Sequence, residues 1–274
     1  MNRYQFVKIS DAVSLACLIL KGVPQGSNLG PLLFNMMLYD LKFVQTFSTI
    51  IKFADDIVLI LECDELKDCA ESVERDIKKI NEYYMDNGLK INLNKSKYMT
   101  FGFKSFQNLD DFMKESQIEK VDQMTYLGIC LDSGLKMNNH ANKLVNKLSQ
   151  SVNAMSIIRH YLPDYSMFQF YNAFVGSHLF YSGFLLCRMS CNDINRLQII
   201  QNKSLKIAFN LELRHSTSDL YQKIAKNVLP VTGIAYFNLL LLVKKLLLFE
   251  NEFEVIREGR RKHQIKFGRY SKPV

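Results

Sequence analysis

The chain has 274 residues, long enough for one large or two modest domains with real cores, and its 48% hydrophobic and 23% charged residues exclude a disordered protein. Its net charge of +8 is uneven: Lys/Arg against Asp/Glu stand at 5 to 5 in residues 1–62, 10 to 13 in 63–123 and 20 to 9 in 124–274. A basic C-terminal half suits a polyanionic partner held there, with solubility alone as the plainer explanation.

Six cysteines at irregular spacing and a polar start argue against a disulfide framework and a secretory leader, so reduced thiols in an intracellular protein, cytoplasmic and/or nuclear, are the expectation. The most apolar windows, 167–187 and 238–249, are broken by Gln169, Asn172 and His178 and by Lys244-Lys245, so no membrane span is expected.

Residues 1–21 alternate weakly and read as two short strands, Tyr4 to Ile9 and Leu15 to Leu20. Gly22-Val23-Pro24-Gln25-Gly26 is a constrained loop whose backbone a ligand can approach. Ser27 or Asn28 then caps a helix with Pro31 in its first turn, where the missing N–H does no harm.

Ile50 to Leu61 sets Asp55 and Asp56 between two apolar runs and reads as strand–turn–strand with the acids at the tip. Adjacent side chains on a strand point to opposite faces, so neighbouring acids share a ligand only where the backbone turns. Paired carboxylates repel unless a cation neutralises them, and Mg²⁺ takes such oxygens together with phosphate and water. Two readings stand at this point: a metal site for phosphoryl or nucleotidyl transfer, and a solvated turn, Asp being a favoured turn residue.

Leu66, Ala70, Val73, Ile77, Ile80 and Tyr84 mark an amphipathic helix that ends before Gly88 and is expected to pack on the sheet carrying the acids. Residues 89–101 lead into an apolar strand, 104–123 are polar and read as a loop or insertion, and 123–132 read as a strand into a turn. His140 reads as a helix-start or packing residue. Helices over 141–158, 167–186, 194–209, 219–225 and 234–249 suggest a bundle. Cys187-x₃-Cys191 with His178 lacks the second ligand pair of a zinc site. Arg257 to Arg269 is a basic end, a nucleic-acid arm or a frayed terminus.

Gly-Val-Pro-Gln-Gly-Ser-x-Leu-Gly-Pro-Leu-Leu-Phe over residues 22–34, followed by Phe53-Ala54-Asp55-Asp56, resembles the reverse transcriptase domain of non-LTR (LINE-like) retrotransposons. Asn2-Arg3-Tyr4-Gln5-Phe6-Val7 is similar to the stretch that precedes the loop in that family. Asn87 to Lys97 is similar to its fourth motif, with Ser96 for the usual Thr and Tyr83 for a usual Trp. Tyr126-Leu127-Gly128 with Leu131-Asp132, Leu135 and His140 resembles its fifth.

The resemblance runs from Asn2 to about Phe249 and implies an α+β fold. Residues 1–133 would be a partial polymerase palm, an antiparallel sheet with packed helices; 134–250 a helical thumb and post-thumb region; 251–274 a basic C-terminal tail. It implies addition of deoxynucleotides to a primer 3′-OH on an RNA template. Asp55 and Asp56 would hold Mg²⁺ or Mn²⁺, and Lys95 would face the triphosphate. Gly22, Pro24, Gln25, Gly26, Phe53 and Ala54 would line the template and incoming nucleotide, and Lys143, Lys147, Arg196, Lys203 and Lys206 would contact the duplex backbone. The partners implied are RNA template, DNA primer and deoxynucleoside triphosphates, with no membrane.

The order of motifs places the first residues after the family's first catalytic motif, which carries a further metal-binding Asp, and after its fingers. Two-metal transfer holds cations roughly 3.5–4 Å apart and needs carboxylates from more than one strand. Neither Asp11 nor Asp40 matches the first motif in its surroundings, so the isolated chain is expected to be inactive. The alternative reading is a catalytically dead remnant acting at most as a nucleic-acid-binding protein. A viral RNA-dependent RNA polymerase also carries an Asp-Asp hairpin, but the Gly-Val-Pro-Gln-Gly loop and the Phe-Ala context argue against it.

Overall fold

The computed structural model describes residues 3–19, 22–24, 26–62, 66–102, 107–248, 253–258 and 262–267. The fold is α+β, with helices and small two-stranded ladders, and it divides into two compact units, Met1–Val121 and Asp122–Val274.

The first unit opens with one antiparallel hairpin built in two steps, where the sequence reads as two continuous strands. β1 (Arg3–Gln5) pairs with β4 (Cys17–Ile19), and β2 (Lys8–Ile9) pairs with β3 (Ala12–Val13). Between the steps Ser14 takes over the pairing: its hydroxyl accepts the Val7 amide at 2.9 Å and its own amide donates to the Val7 carbonyl at 2.9 Å. Helix α1 (Gly30–Met37) and a 3₁₀ turn (Tyr39–Phe43) follow. The antiparallel pair β5 (Thr49–Phe53) and β6 (Asp56–Ile60) comes next, then α2 (Leu66–Asp86).

Of the two readings of 104–123, a loop or an insertion, the loop is corrected. Gln107–Glu115 forms α3, lying in sequence between β7 (Lys97–Tyr98) and β8 (Glu119–Lys120), which pair in parallel. Leu109, Phe112 and Met113 recur at helical spacing and pack with Ala70, Val73 and Ile77 of α2, and with Tyr98 and Ile118. The apolar stripe of α2 therefore meets α3, and what ties α2 to the chain entering β5 is polar. Asp110 accepts the Tyr98 hydroxyl at 2.7 Å and Lys120 Nζ at 2.9 Å. Burial pushes the Asp110 carboxyl up, but these hydrogen bonds outweigh it and hold the group below its ordinary value.

The second unit begins with the antiparallel hairpin β9 (Gln123–Tyr126) and β10 (Ile129–Asp132), whose turn puts Leu127 and Gly128 at φ 46° and 79°. The two compact units divide between Val121 and Asp122. The hairpin packs on α4 (Asn138–Ile158): Cys130 is buried, its amide donates to His140 Nδ1 at 3.4 Å, and the Tyr181 hydroxyl donates to the Leu127 carbonyl.

The helix expected over 167–186 starts at Asp164, directly after Pro163, and is segmented: α5 (Asp164–Tyr171), a π turn (Asn172–Gly176), α6 (Ser177–Tyr181) and α7 (Gly183–Leu186). α8 (Cys191–Ala208) starts at an N-cap, Ser190, whose Oγ accepts the Asp193 amide at 3.1 Å and donates to its carboxylate at 2.7 Å. A turn of helix α9 (Thr217–Asp219) runs into a π turn (Leu220–Ile224), and α10 (Val231–Leu248) follows. At Gly183 a methyl would overlap the Asn238 amide, so α7 and α10 approach closely there.

Ala141, Leu144, Leu148 and Met155 of α4, Leu197 and Leu205 of α8 and Ile234 of α10 share one core. Inside it Gln201 is fully buried, donating to the Tyr171 hydroxyl at 3.0 Å and the Leu229 carbonyl at 2.9 Å while accepting from the Tyr221 hydroxyl at 3.0 Å. In the stretch read as a basic tail, β11 (Phe253–Glu258) pairs antiparallel with β12 (Lys262–Phe267).

Cys17, Cys130, Cys187 and Cys191 are free thiols. Cys69 is disulfide-bonded, a departure from the all-thiol expectation. Among the described residues no helix is long and apolar enough to cross a membrane.

Candidate functional site

The register Phe53↔Asp56 leaves Ala54 and Asp55 as a two-residue hairpin loop, with Asp56 opening β6. The turn therefore falls at the acid pair, the condition for adjacent carboxylates to address one ligand. Ala54 takes φ 53°, a left-handed conformation that costs an L residue about 1–2 kcal/mol, so this tight loop is held against local preference. Asp55 and Asp56 are exposed, and among the described residues neither carboxylate has a hydrogen-bond or ion-pair partner. Phe53 and Ala54 are exposed beside them.

The carboxylate pair fits the protein's share of a Mg²⁺ site, since that ion is commonly held by one or two carboxylates with phosphate oxygens and water completing its shell. Among the described residues no group of three or more His, Cys, Asp or Glu could hold a metal, so the further carboxylate that a second ion needs is not gathered with them.

The base of the hairpin is anchored. Lys52 of β5 donates to the Leu38 carbonyl at 3.3 Å, and the segment entering β5 is held by Asp76 of α2, which accepts the amides of Phe47 at 3.0 Å and Ser48 at 2.7 Å. Asp76 is absent from the sequence-derived candidates, because an acid in an amphipathic helix reads as solvated. Its signal was positional: it falls between Val73 and Ile80 at three- and four-residue spacing, on the apolar stripe itself.

The loop before α1 is shaped by backbone. Gly22 and Gly26 take φ 89° and 81°, with open space where a Cβ would sit, so conformation is what demands glycine there. The Ser27 amide donates to the Pro24 carbonyl at 3.2 Å, and Ser27 Oγ accepts the Gly30 amide at 3.0 Å; the cap expected at Ser27 or Asn28 is corrected, because Leu29 is the N-cap of α1, with no side-chain cap hydrogen bond. Gly30 is a residue missed by that reading: it is buried, and a Cβ would lie 2.8 Å from Ser27 Oγ and 3.3 Å from a Val23 methyl. Gln25 lies outside the described residues.

Lys95 ends a 3₁₀ turn (Leu93–Lys95), is exposed, and its ammonium has no partner among the described residues.

In the second unit Lys143 and Lys147 lie on successive turns of α4, both exposed; Lys143 donates to Thr125 Oγ1 at 3.1 Å. Arg196 bridges helices, donating to Asn142 of α4 at 2.8 Å and to Asp193 at 3.1 Å, with its side chain still 40% exposed. Lys203 is exposed two turns further along α8. Lys206 is corrected: it is buried, and its ammonium donates to the Leu213 carbonyl at 2.8 Å, fastening the chain beyond α8. That charge is occupied within the fold.

Residues 8–131 match the sequence model of the family described as reverse transcriptase (RNA-dependent DNA polymerase). The probable RNA-directed DNA polymerase from transposon X-element of Drosophila melanogaster is 25% identical over 234 residues, 80% of this chain and 25% of that protein. The RNA-directed DNA polymerase from mobile element jockey of Drosophila funebris is 22% identical over 195 residues, 68% of this chain and 21% of that protein. The probable RNA-directed DNA polymerase from transposon BS of Drosophila melanogaster is 24% identical over 158 residues, 54% of this chain and 17% of that protein. The chain spans at most about a quarter of these relatives' lengths. Residues 8–131, which hold both the glycine-rich loop and the Asp55–Asp56 turn, are therefore the part of the chain that is similar to the reverse transcriptase family.

Proposed function

We propose that this chain is a segment of an RNA-directed DNA polymerase of a non-LTR retrotransposon, acting by nucleotidyl transfer to a primer 3′-OH. One observation carries the reading: the two solvent-facing acids at the hairpin turn, without partners among the described residues, lie inside the family-matched stretch. On this reading the first unit is a partial palm and the second a helical thumb and post-thumb region.

Asp55 and Asp56 hold the divalent cation, Mg²⁺ or Mn²⁺, which when bound supplies positive charge and Lewis acidity to phosphoryl oxygens. Lys95, its ammonium without a partner among the described residues, is the charge partner for the triphosphate. The loop from Gly22 to Gly26, with Phe53 and Ala54, lines the template and incoming deoxynucleotide. Lys143, Lys147, Lys203 and the free donors of Arg196 hold the RNA–DNA duplex by its phosphates, contacts that carry no sequence preference. The protein works inside the cell, where its RNA template is. The relatives are named as polymerases, which weighs against a reading as a nucleic-acid binder alone.

A poly(A)–oligo(dT) duplex tests this with the full chain, dTTP and Mg²⁺. The expected result is metal-dependent retention of dTTP on the protein–duplex complex, lost in Asp55→Asn while duplex binding persists; any primer extension requires Asp55. Duplex binding with no metal-dependent nucleotide retention, or retention indifferent to Asp55→Asn, would overturn the polymerase reading.

A further inference from the structure

The β5–β6 ladder has two strands and no third neighbour among the described residues. A two-stranded hairpin is marginally stable alone, so a sheet does not fix where its tip stands. The anchors at its base must do so, and the densest of them is on α2. Asp76 is 0% exposed. One carboxylate oxygen accepts the Phe47 amide at 3.0 Å; the other accepts the Ser48 amide at 2.7 Å and the Ser48 hydroxyl at 2.6 Å. Ser48 is itself buried and directly precedes the first residue of β5.

The same face of α2 supplies three more contacts. Lys79 Nζ donates to the Gln45 carbonyl at 2.7 Å, the Arg75 guanidinium lies 5.2 Å from the Phe47 ring centre, and the Tyr83 hydroxyl donates to the Asp40 carboxylate.

We propose that Asp76 is a positioning residue for the Asp55–Asp56 turn: by gripping two consecutive amides it sets the register and direction in which β5 leaves Ser48, and so the place where the two acids meet a divalent cation. The inference rests on the metal role proposed for that turn. Register is the sensitive quantity, because a one-residue slip of β5 would turn every side chain of the strand to the opposite face. The five residues of β5 run from the clamp to a loop of two residues, with no slack to absorb a shift.

The chemistry asks for a carboxylate. Three donors converge on Asp76, and an Asn in its place would offer one oxygen and turn an NH₂ toward a backbone N–H.

The test measures the Mn²⁺ dissociation constant of the full chain by titration calorimetry, with Asp55→Asn defining the signal that belongs to the turn. Asp76→Asn is expected to weaken that site about tenfold or more, and Ser48→Ala, which removes only the hydroxyl donor, about two- to threefold. Met113→Ala, which opens the α2–α3 core without touching the clamp, is expected to lower the melting temperature and leave the constant unchanged; this separates positioning from stability. Should Asp76→Asn not fold, Ser48→Ala against Met113→Ala carries the comparison. Unchanged affinity in the clamp variants, or an equal loss in Met113→Ala, overturns the inference. If wild type shows no Asp55-dependent Mn²⁺ signal, the metal reading has failed, and the clamp is then read from hydrogen exchange of the Phe53 and Asp56 amides. Exchange faster in Ser48→Ala than in Met113→Ala supports the clamp, and equal exchange overturns it.

Discussion

His140 Nδ1 accepts the Cys130 amide at 3.4 Å, and its Nε2 lies 3.1 Å from Ser182 Oγ, so one imidazole joins β10, α4 and the break between α6 and α7. With Nδ1 accepting, the ring is neutral and its proton sits on Nε2. Burial, and then the charge of Lys143, pull its pKa below 6.5. Burial and Lys147 do the same at His178.

A depressed histidine fixes the sign of the pH response. Above about 6.5 both rings are neutral folded and unfolded, and their contribution is fully present. As pH falls below that value the unfolded chain takes up protons first, and stability drops until the lowered folded pKa values are passed. Urea unfolding between pH 7.5 and 5 is expected to show this decline, at most about 1.4 kcal/mol per pH unit for each ring. His140→Gln should flatten part of it, leaving the share from His178; an unchanged slope would contradict the buried neutral imidazole.

Gln201 joins Tyr171, Tyr221 and the Leu229 carbonyl within the helical core. Burial pushes the Tyr171 hydroxyl up to about 12, so it stays a neutral partner at all working pH values. Gln201→Leu strands these groups and is expected to cost about 2–4 kcal/mol in urea unfolding, against about 1 kcal/mol for Tyr171→Phe. Equal effects would show that the residues do not act as a network.

Lys203 and Lys206 lie on one helix and separate in the fold. Lys206→Met removes the bond to the Leu213 carbonyl and is expected to cost about 1–3 kcal/mol. Lys203→Met should leave the melting temperature unchanged, weaken binding to an RNA–DNA duplex and reduce its salt dependence by about one phosphate contact. Thermal melts and salt-titrated binding of the two variants distinguish the roles.

The acid hairpin was legible because apolar runs of strand length flank Asp55 and Asp56, and α2 because its apolar period holds over 21 residues. α3 was not, since its 9 residues carry only Leu109, Phe112 and Met113 as a stripe amid polar neighbours. The π turn at Asn172–Gly176 leaves no local signature in composition. Lys206 looked like Lys203 because spacing along one helix says nothing of which chain segment folds over it. Asp76 was hidden for a related reason: its partners, Phe47 and Ser48, are 29 and 28 residues away. The fold class and the acid turn come from short-range pattern, whereas the anchors that hold the turn come from long-range pairing.

On the proposed function, the Asp55–Asp56 turn is where a divalent cation binds. Paramagnetic line broadening of backbone amide signals on adding substoichiometric Mn²⁺ tests it most directly. The signals from Phe53 to Ile57 are expected to broaden first, and Asp55→Asn and Asp56→Asn are each expected to abolish this at the same Mn²⁺ level. Broadening that begins elsewhere, or that survives both substitutions, would contradict it.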